Sequence, residues 1–144
     1  MEAGIRRTGT RRVAGLLLAL FSATVAAAEW ETIGTDADGN SYSVDVSRMA
    51  RDQGTVSIVV RTEYAKPRRI DAVDADVFVA LDYMVVGCGK SSFAVQSRTL
   101  VAADGTEIPR GSTERANLRL RVAAPGSMSE SIVRFACRPA AGSK

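Results

Sequence analysis

Side chains able to do acid–base or nucleophilic chemistry are few in this chain. Its 144 residues include no histidine, and its only cysteines are Cys88 and Cys137. With both thiols expected to be oxidised, the usual general bases and thiol nucleophiles are absent, which leaves carboxylates, Lys, Tyr and Ser. We therefore predict that the protein is not an enzyme and has no catalytic residue and no cofactor. A hydrolase that uses paired carboxylates is the remaining catalytic alternative.

Two acidic groups have the oxygen-rich composition of a calcium site. Asp71, Asp74 and Asp76 lack the glycine and the closing glutamate of an EF-hand loop, so we expect them in a solvated loop. Residues 36–40, Asp-Ala-Asp-Gly-Asn, have the alternating spacing of such a loop, but Ser47 stands where its last glutamate would be. Turn formation explains these residues better, and we predict no metal site.

The sequence Lys66-Pro67-Arg68-Arg69 is the densest basic cluster of the chain outside its first residues. We expect it on an exposed loop between two strands, where Lys66, Arg68 and Arg69 could bind an acidic partner or a sulfated polysaccharide. The alternative is a loop tip that only aids solubility. Trp30 and Tyr42 could form an exposed aromatic contact, although aromatic residues beside strands more often belong to the core.

The N-terminus has the features of an export signal. Four arginines between positions 6 and 12 precede an apolar run that ends in Ala26-Ala27-Ala28. We predict a signal peptide over residues 1–28, cleaved before Glu29. An uncleaved membrane anchor is the alternative, but the run is shorter than the roughly 18 to 20 apolar residues that a membrane span needs. We favour the general secretory route and leave the twin-arginine route open.

Cleavage would leave residues 29–144 as a single domain with balanced charge. Of the 19 basic and 16 acidic residues, four and one respectively lie in the leader, so the mature domain has 15 of each. The basic pI of about 9.2 is thus mostly a property of the leader, and we predict no nucleic-acid partner. Since no cysteine lies at the cleavage site, we predict a periplasmic or secreted protein without a lipid anchor or membrane span.

Cys88 and Cys137 form an even pair in a chain bound for an oxidising compartment, which predicts a disulfide. A zinc site is the weaker alternative, because two thiolates without histidine would need two oxygen ligands.

Strand patterns dominate the predicted domain. Alternating or continuous apolar residues mark strands at 30–33, 41–45, 55–64, 76–86, 93–101 and 118–122. The first two pair as a hairpin across residues 36–40. The stretch 76–86 is apolar on both faces, so we expect it to be a central strand covered by another element.

A single C-terminal helix is the predicted cover. Pro125-Gly126 interrupts the chain, and Ser127 to Glu130 has the spacing of a capping box. The helix places Cys137 at its end, so a bond to Cys88 would pin it across the sheet. The predicted fold class is α+β: an antiparallel sheet of about five to six strands with one C-terminal helix packed on one face, tied by a disulfide.

A family resemblance follows from the order of several short motifs along the chain. These motifs are Tyr42-Ser43-Val44-Asp45 with Ser47, Cys88 followed by Ser97-Arg98, the turn at Gly105, and Pro125-Gly126-Ser127 leading to Cys137. In this layout the chain resembles the surface-adhesin protein E family of exported bacterial proteins. The resemblance implies an antiparallel sheet with a C-terminal helix tied by this disulfide.

The founding adhesin of that family is a lipoprotein displayed on the outer membrane that binds host matrix proteins, and some relatives look dimeric. The resemblance therefore implies a non-catalytic binding domain with a protein partner, for which an extracellular matrix protein is one candidate, and a homodimer as one assembly. The lipid-bearing cysteine is missing from this sequence. The alternative function is a periplasmic structural or envelope-maintenance protein with no role in host adhesion.

Overall fold

The computed structural model describes residues 27–140, so nearly all of the predicted leader lies outside the described residues. The described part contains these strands and this α-helix: β1 (Trp30–Thr35), β2 (Ser41–Asp45), β3 (Ala50–Asp52), β4 (Thr55–Ile70), β5 (Ala75–Gly87), β6 (Ser92–Ala102), β7 (Glu107–Ser112), β8 (Arg121–Val122) and α1 (Met128–Ala136). Short 3-10 turns occupy Val46–Arg48, Asp71–Val73, Cys88–Lys90 and Arg115–Asn117.

The strands form one antiparallel sheet. Its main order is β1-β2-β4-β5-β6-β7, and the short strands β3 and β8 add to β4 and β6. Neighbours in the sheet are thus close neighbours in the chain, as in a meander. The predicted α+β fold class is confirmed, with eight strands in the described part of the chain.

The helix packs on one face of this sheet, which we call the helix side. Its buried residues Ile132, Val133 and Ala136 join a core that includes Ile58 and Val86. The predicted disulfide is confirmed: it joins Cys88, just after β5, to Cys137 at the end of α1, with 5.5 Å between the Cα atoms. One end of the helix is therefore fixed to the sheet covalently.

The predicted helix start is also confirmed. The Ser127 hydroxyl accepts a hydrogen bond from the Glu130 amide (3.2 Å), and the Glu130 carboxylate accepts one from the Gly126 amide (2.8 Å). The Ser127 side chain thus satisfies an amide of the first turn, and the Glu130 side chain binds an amide just before the helix.

The prediction that residues 66–69 form a loop is wrong, because β4 continues to Ile70. The register between β4 and β5 shifts between Glu63 and Arg68, and this irregularity accommodates Pro67, which has no N–H to donate. The Ala65 amide instead donates to the Asn40 side-chain oxygen (3.1 Å). A strand with a bulge therefore replaces the predicted loop.

The predicted strand at 118–122 is shorter than expected, since only Arg121–Val122 pairs with β6. The preceding chain crosses the opposite, or back, face of the sheet. There the Arg115 guanidinium donates to the hydroxyls of Ser57 (3.1 Å) and Thr55 (3.3 Å). These contacts to the middle of the sheet hold the segment away from the edge of β6.

Candidate binding cleft

The helix divides the helix side of the sheet into a covered half and an open half. The covered half lies under α1 and ends at the disulfide. In the open half, beyond the N-terminus of α1, a cleft of about 240 Å³ lies between Tyr42, Tyr64, Arg98 and Met128. A second depression shares Tyr64, Arg68 and Arg98 with it and extends the concave surface to Arg110.

Four arginines surround this surface, and each comes from a different strand. Arg68 lies on β4, Arg98 on β6, Arg110 on β7 and Arg121 on β8. We call them, together with Tyr42 and Tyr64, the arginine cleft. Since strands within a sheet lie about 4.8 Å apart, four guanidinium groups concentrate positive charge on a surface only a few strands wide.

An irregularity in β6 brings Arg98 to this face. Met84 of β5 pairs with Val95, whereas the adjoining Tyr83 pairs with Ser97, so one extra residue is inserted in β6. The insertion resets the alternation of side chains, and both Val95 and Arg98 line the cleft.

Asp82 fixes the position of Arg98. The Asp82 carboxylate is buried, with the residue 7% exposed, and accepts two hydrogen bonds from Arg98, from Nε at 2.6 Å and from Nη2 at 2.7 Å. This bidentate bond is the main reason that the pKa of Arg98 is raised. Arg98 is therefore held by one edge of its guanidinium group, while its exposed part faces the cleft.

The other three arginines make no ion pair within residues 27–140. The Arg68 guanidinium carbon lies 4.4 Å from the centre of the Tyr64 ring, and that of Arg121 lies 4.8 Å from the centre of the Phe93 ring. Stacking on a ring orients a guanidinium group but leaves the N–H groups at its edge free to bind a carboxylate. The cleft thus has oriented but uncompensated positive charge.

Comparison with family models gives a match to surface-adhesin protein E over residues 30–138. The matched region contains every strand, the helix and both cysteines. The chain belongs to the surface-adhesin protein E family. None of the curated proteins and none of the solved structures compared with the chain matches it.

Membership makes the chain an adhesin-like protein of a family whose members are exported. Within residues 27–140, no helix is long and apolar enough to cross a bilayer. The resemblance drawn from the sequence is confirmed by the family match.

Tyr42 forms one wall of this adhesin-like domain's cleft and is held by a turn. Its hydroxyl donates to Asp36 Oδ2 (2.9 Å), and Asp36 Oδ1 accepts from the amides of Asn40 (2.9 Å) and Asp38 (3.0 Å). Burial and the bond to Asp36 raise the pKa of Tyr42 to about 12. The pKa of Asp36 is lowered, mainly because the Asn40 side chain donates to it. Turn formation by residues 36–40 is confirmed.

Trp30 lies outside the cleft. It is half-buried, and the Arg61 guanidinium carbon is 5.8 Å from its ring centre. Tyr42 packs against the core with its ring half-buried. The two aromatic residues therefore do not form a joint exposed contact.

The structure separates the three basic residues predicted to act together. Arg68 lines the cleft, whereas Arg69 forms ion pairs with Asp74 and with Asp76, the latter at 3.6 Å. Lys66 is exposed at the bulge of β4. The acidic turn after β4 is exposed, as expected for a solvated loop, and no group of acidic, Cys or His side chains in the described region is arranged to hold a metal ion.

Arg98, Arg110 and Arg121 were not among the residues predicted from sequence to bind. One signal pointed to Arg98: Asp82 lies inside the apolar stretch 76–86, and a carboxylate buried among apolar residues requires a positively charged partner. Arg110 and Arg121 carry no comparable signal, because their position depends on which strands pair with β6.

Proposed function

We propose that this member of the surface-adhesin protein E family is a non-catalytic, exported binding protein that holds an acidic segment of another protein in the arginine cleft. One observation carries the proposal. Three of the four arginines around the cleft have no acidic partner in the described structure, on the half of the sheet that α1 leaves open.

The chemistry of the cleft favours protein carboxylates. Guanidinium groups bind carboxylates through two parallel N–H···O bonds, and these bonds are about twice as strong as those between neutral groups. From β4 to β7 the sheet makes three strand steps, roughly 14 Å, which is the length of about four residues of an extended chain. A segment with two or three Asp or Glu residues could therefore reach several arginines, and its apolar side chains could pack on Tyr64.

The arrangement of acids supports a binding role rather than hydrolysis. Asp82 is the one carboxylate among the described residues that line the cleft, and both of its oxygens accept hydrogen bonds from Arg98. A carboxylate hydrolase needs a second acid with a different protonation state close to the first.

Among the residues predicted from sequence, Arg68 is the proposed contact. Lys66 lies near the rim and adds to the long-range attraction of an acidic partner. Arg69 contributes less, because Asp74 and Asp76 neutralise its charge.

The test uses the exported mature protein and an immobilised panel of extracellular matrix proteins. Replacement of two cleft arginines, Arg68→Gln with Arg110→Gln, should weaken binding at least tenfold, about 1.4 kcal/mol. A matched control, Arg119→Gln with Arg134→Gln, removes the same charge at exposed positions outside the cleft lining. The affinity of this control should stay within about twofold of that of the unmodified protein, since rim charges far from the contact act mainly on association rates.

Equal binding by the cleft variant and the unmodified protein would remove the cleft from the proposal. Fractionation of cells adds a second criterion. A surface or secreted pool makes matrix proteins reachable, whereas a purely periplasmic pool together with no binding to the panel would favour the envelope-maintenance role instead.

A further inference from the structure

One buried acidic side chain outside the lining of the arginine cleft lacks an adequate charged partner among the described residues. The Asp45 side chain at the end of β2 is completely buried. Its Oδ1 accepts hydrogen bonds from the amide and hydroxyl of Ser47 and from the amide of Glu29 (3.2 Å). Its Oδ2 is buried and accepts no hydrogen bond from the described residues.

The cation beside Asp45 is Arg48, whose Nε lies 3.1 Å from Oδ2 without hydrogen-bond geometry. The Arg48 side chain is 64% exposed, so water screens much of its charge. Burial raises the pKa of Asp45, but the bonds from Ser47 and Glu29 and the charge of Arg48 lower it by more. The carboxylate is thus ionised, and a buried charge requires close compensation.

Among the described residues, which begin at residue 27, Glu29 is the first with a hydrogen bond to the folded domain. Its amide donates to Asp45, and its carbonyl accepts a hydrogen bond from the Val46 amide (2.8 Å). Ala27 and Ala28 before it are exposed. The place where the chain becomes anchored therefore coincides with the cleavage position predicted from the sequence.

We propose that cleavage of the Ala28–Glu29 bond makes the Glu29 nitrogen the α-ammonium group of the mature protein, and that this group is a charge partner of Asp45 at hydrogen-bond distance. In the cleavage a signal peptidase adds one water: Ala28 keeps the new carboxylate and Glu29 the new amine. The amine takes up a proton at neutral pH, because the ordinary pKa of an α-amino group is about 8. The proposal rests on leader cleavage and is independent of ligand binding in the arginine cleft.

Processing then changes the charge of the group that donates to Asp45. In the precursor a neutral amide donates one N–H to the carboxylate. In the mature protein an ammonium group with three N–H bonds and a full positive charge occupies the same position. The domain should therefore be more stable with Glu29 as its first residue than with any extension before it.

The first test separates the charge from the cleavage. Insertion of Gly-Ser between Ala28 and Glu29 keeps the leader and every residue of the domain, but leaves the Glu29 nitrogen as an amide. Intact mass establishes where each protein begins. We expect the thermal midpoint of the extended protein to be lower by roughly 4–8 °C. The control Glu29→Gln keeps the ammonium group and should keep the midpoint within about 2 °C.

A double-mutant cycle assigns the effect to Asp45. In the Asp45→Asn background the Gly-Ser insertion should no longer lower the midpoint. An insertion effect of the same size in both backgrounds overturns the pairing, as does an extended protein as stable as the natural one.

A direct titration covers the case in which Asp45→Asn does not fold. The α-amino group is labelled with ¹³C by reductive methylation and followed by NMR as a function of pH. The charged and titratable groups facing it are Asp45, Arg48 and its own Glu29 carboxyl. We expect an α-amino pKa at least one unit above that of the Gly-Ser protein, and equal values overturn the proposal. An intact mass showing that the mature protein begins at a residue other than Glu29 overturns the proposal before stability is measured.

Discussion

The covered half of the helix side is apolar, whereas the open half combines charged residues with a small buried apolar cluster of Val77, Ala80 and Leu100. Under α1, Val44, Ile58 and Val86 are completely buried and apolar, whereas Thr62, Asp82 and Arg98 occupy the equivalent face beyond the helix. The nine residues of α1 span about 14 Å, while the sixteen of β4 extend over roughly 50 Å. A helix much shorter than its sheet leaves part of one face open, and in this protein that part carries the charge.

Removal of the disulfide should have the largest effect on the covered half. The bond closes a loop with a sequence separation of 49, for which the chain-entropy model gives about 4 kcal/mol of stability. We expect Cys88→Ala with Cys137→Ala to lose about this much in urea unfolding. Reductant should destabilise the natural protein and leave the double variant unchanged. If the natural protein unfolds at the same urea concentration with and without reductant, the helix is held by packing alone.

A pair of single substitutions compares the two halves directly. Ile58→Ala removes a fully buried side chain under α1 and should cost about 3 kcal/mol, from lost burial and the cavity that remains. Arg110→Ala in the open half should change stability by less than about 0.5 kcal/mol, because Arg110 is exposed. Both are measured by urea unfolding. Similar losses would show that the open half belongs to the structural core.

The capping residue of α1 should contribute less than either core element. Ser127→Ala removes the hydroxyl that accepts from the Glu130 amide and should cost about 1 kcal/mol. Ser127→Asp is the matched control, because aspartate also caps helices and should retain most of that stability. Thermal unfolding of the three proteins measures the difference, and an alanine variant as stable as the natural protein would mean that tertiary contacts alone fix the start of the helix.

The last effect concerns Tyr42 at the edge of the open half and is confined to alkaline pH. Because its pKa is raised to about 12, above the usual value of about 10, the folded state favours the protonated phenol. The resulting stability is complete below pH 10 and is lost as the pH rises from about 10 to about 12. Absorbance at 295 nm should show a phenol that titrates late, and Tyr42→Phe should remove this signal. A natural protein whose tyrosines all titrate near pH 10 would contradict the bond to Asp36.

Sequence patterns predicted the parts of the fold that depend on residues close together in the sequence. Alternation located β2 and the start of β4, and the capping box located α1. Strand β7 was not predicted, since it contains Pro109 and Gly111, residues that are depleted in strands and typical of turns. Residues 66–69 were assigned to a loop for a similar reason, although a register shift lets Pro67 stay within β4.

The arginine cleft could not be predicted in the same way. Its arginines are distributed between positions 68 and 121, and they meet only because β6 pairs with β5, β7 and β8 and contains an extra residue near Gln96. Pairing partners and registers are properties of the assembled sheet. The buried Asp82 was the one local indication that a positively charged side chain lies next to it in the sheet.

The position of α1 after all of the described strands has a consequence for synthesis. The described strands are all made before the helix, so a chain that stops between Val122 and Ser127 contains the whole described sheet without its cover. Ile58, Val60 and Val86 would then face water together on long, paired strands, a surface prone to aggregation. Nonsense mutations between Val122 and Ser127 should therefore yield insoluble protein rather than a shortened but functional domain.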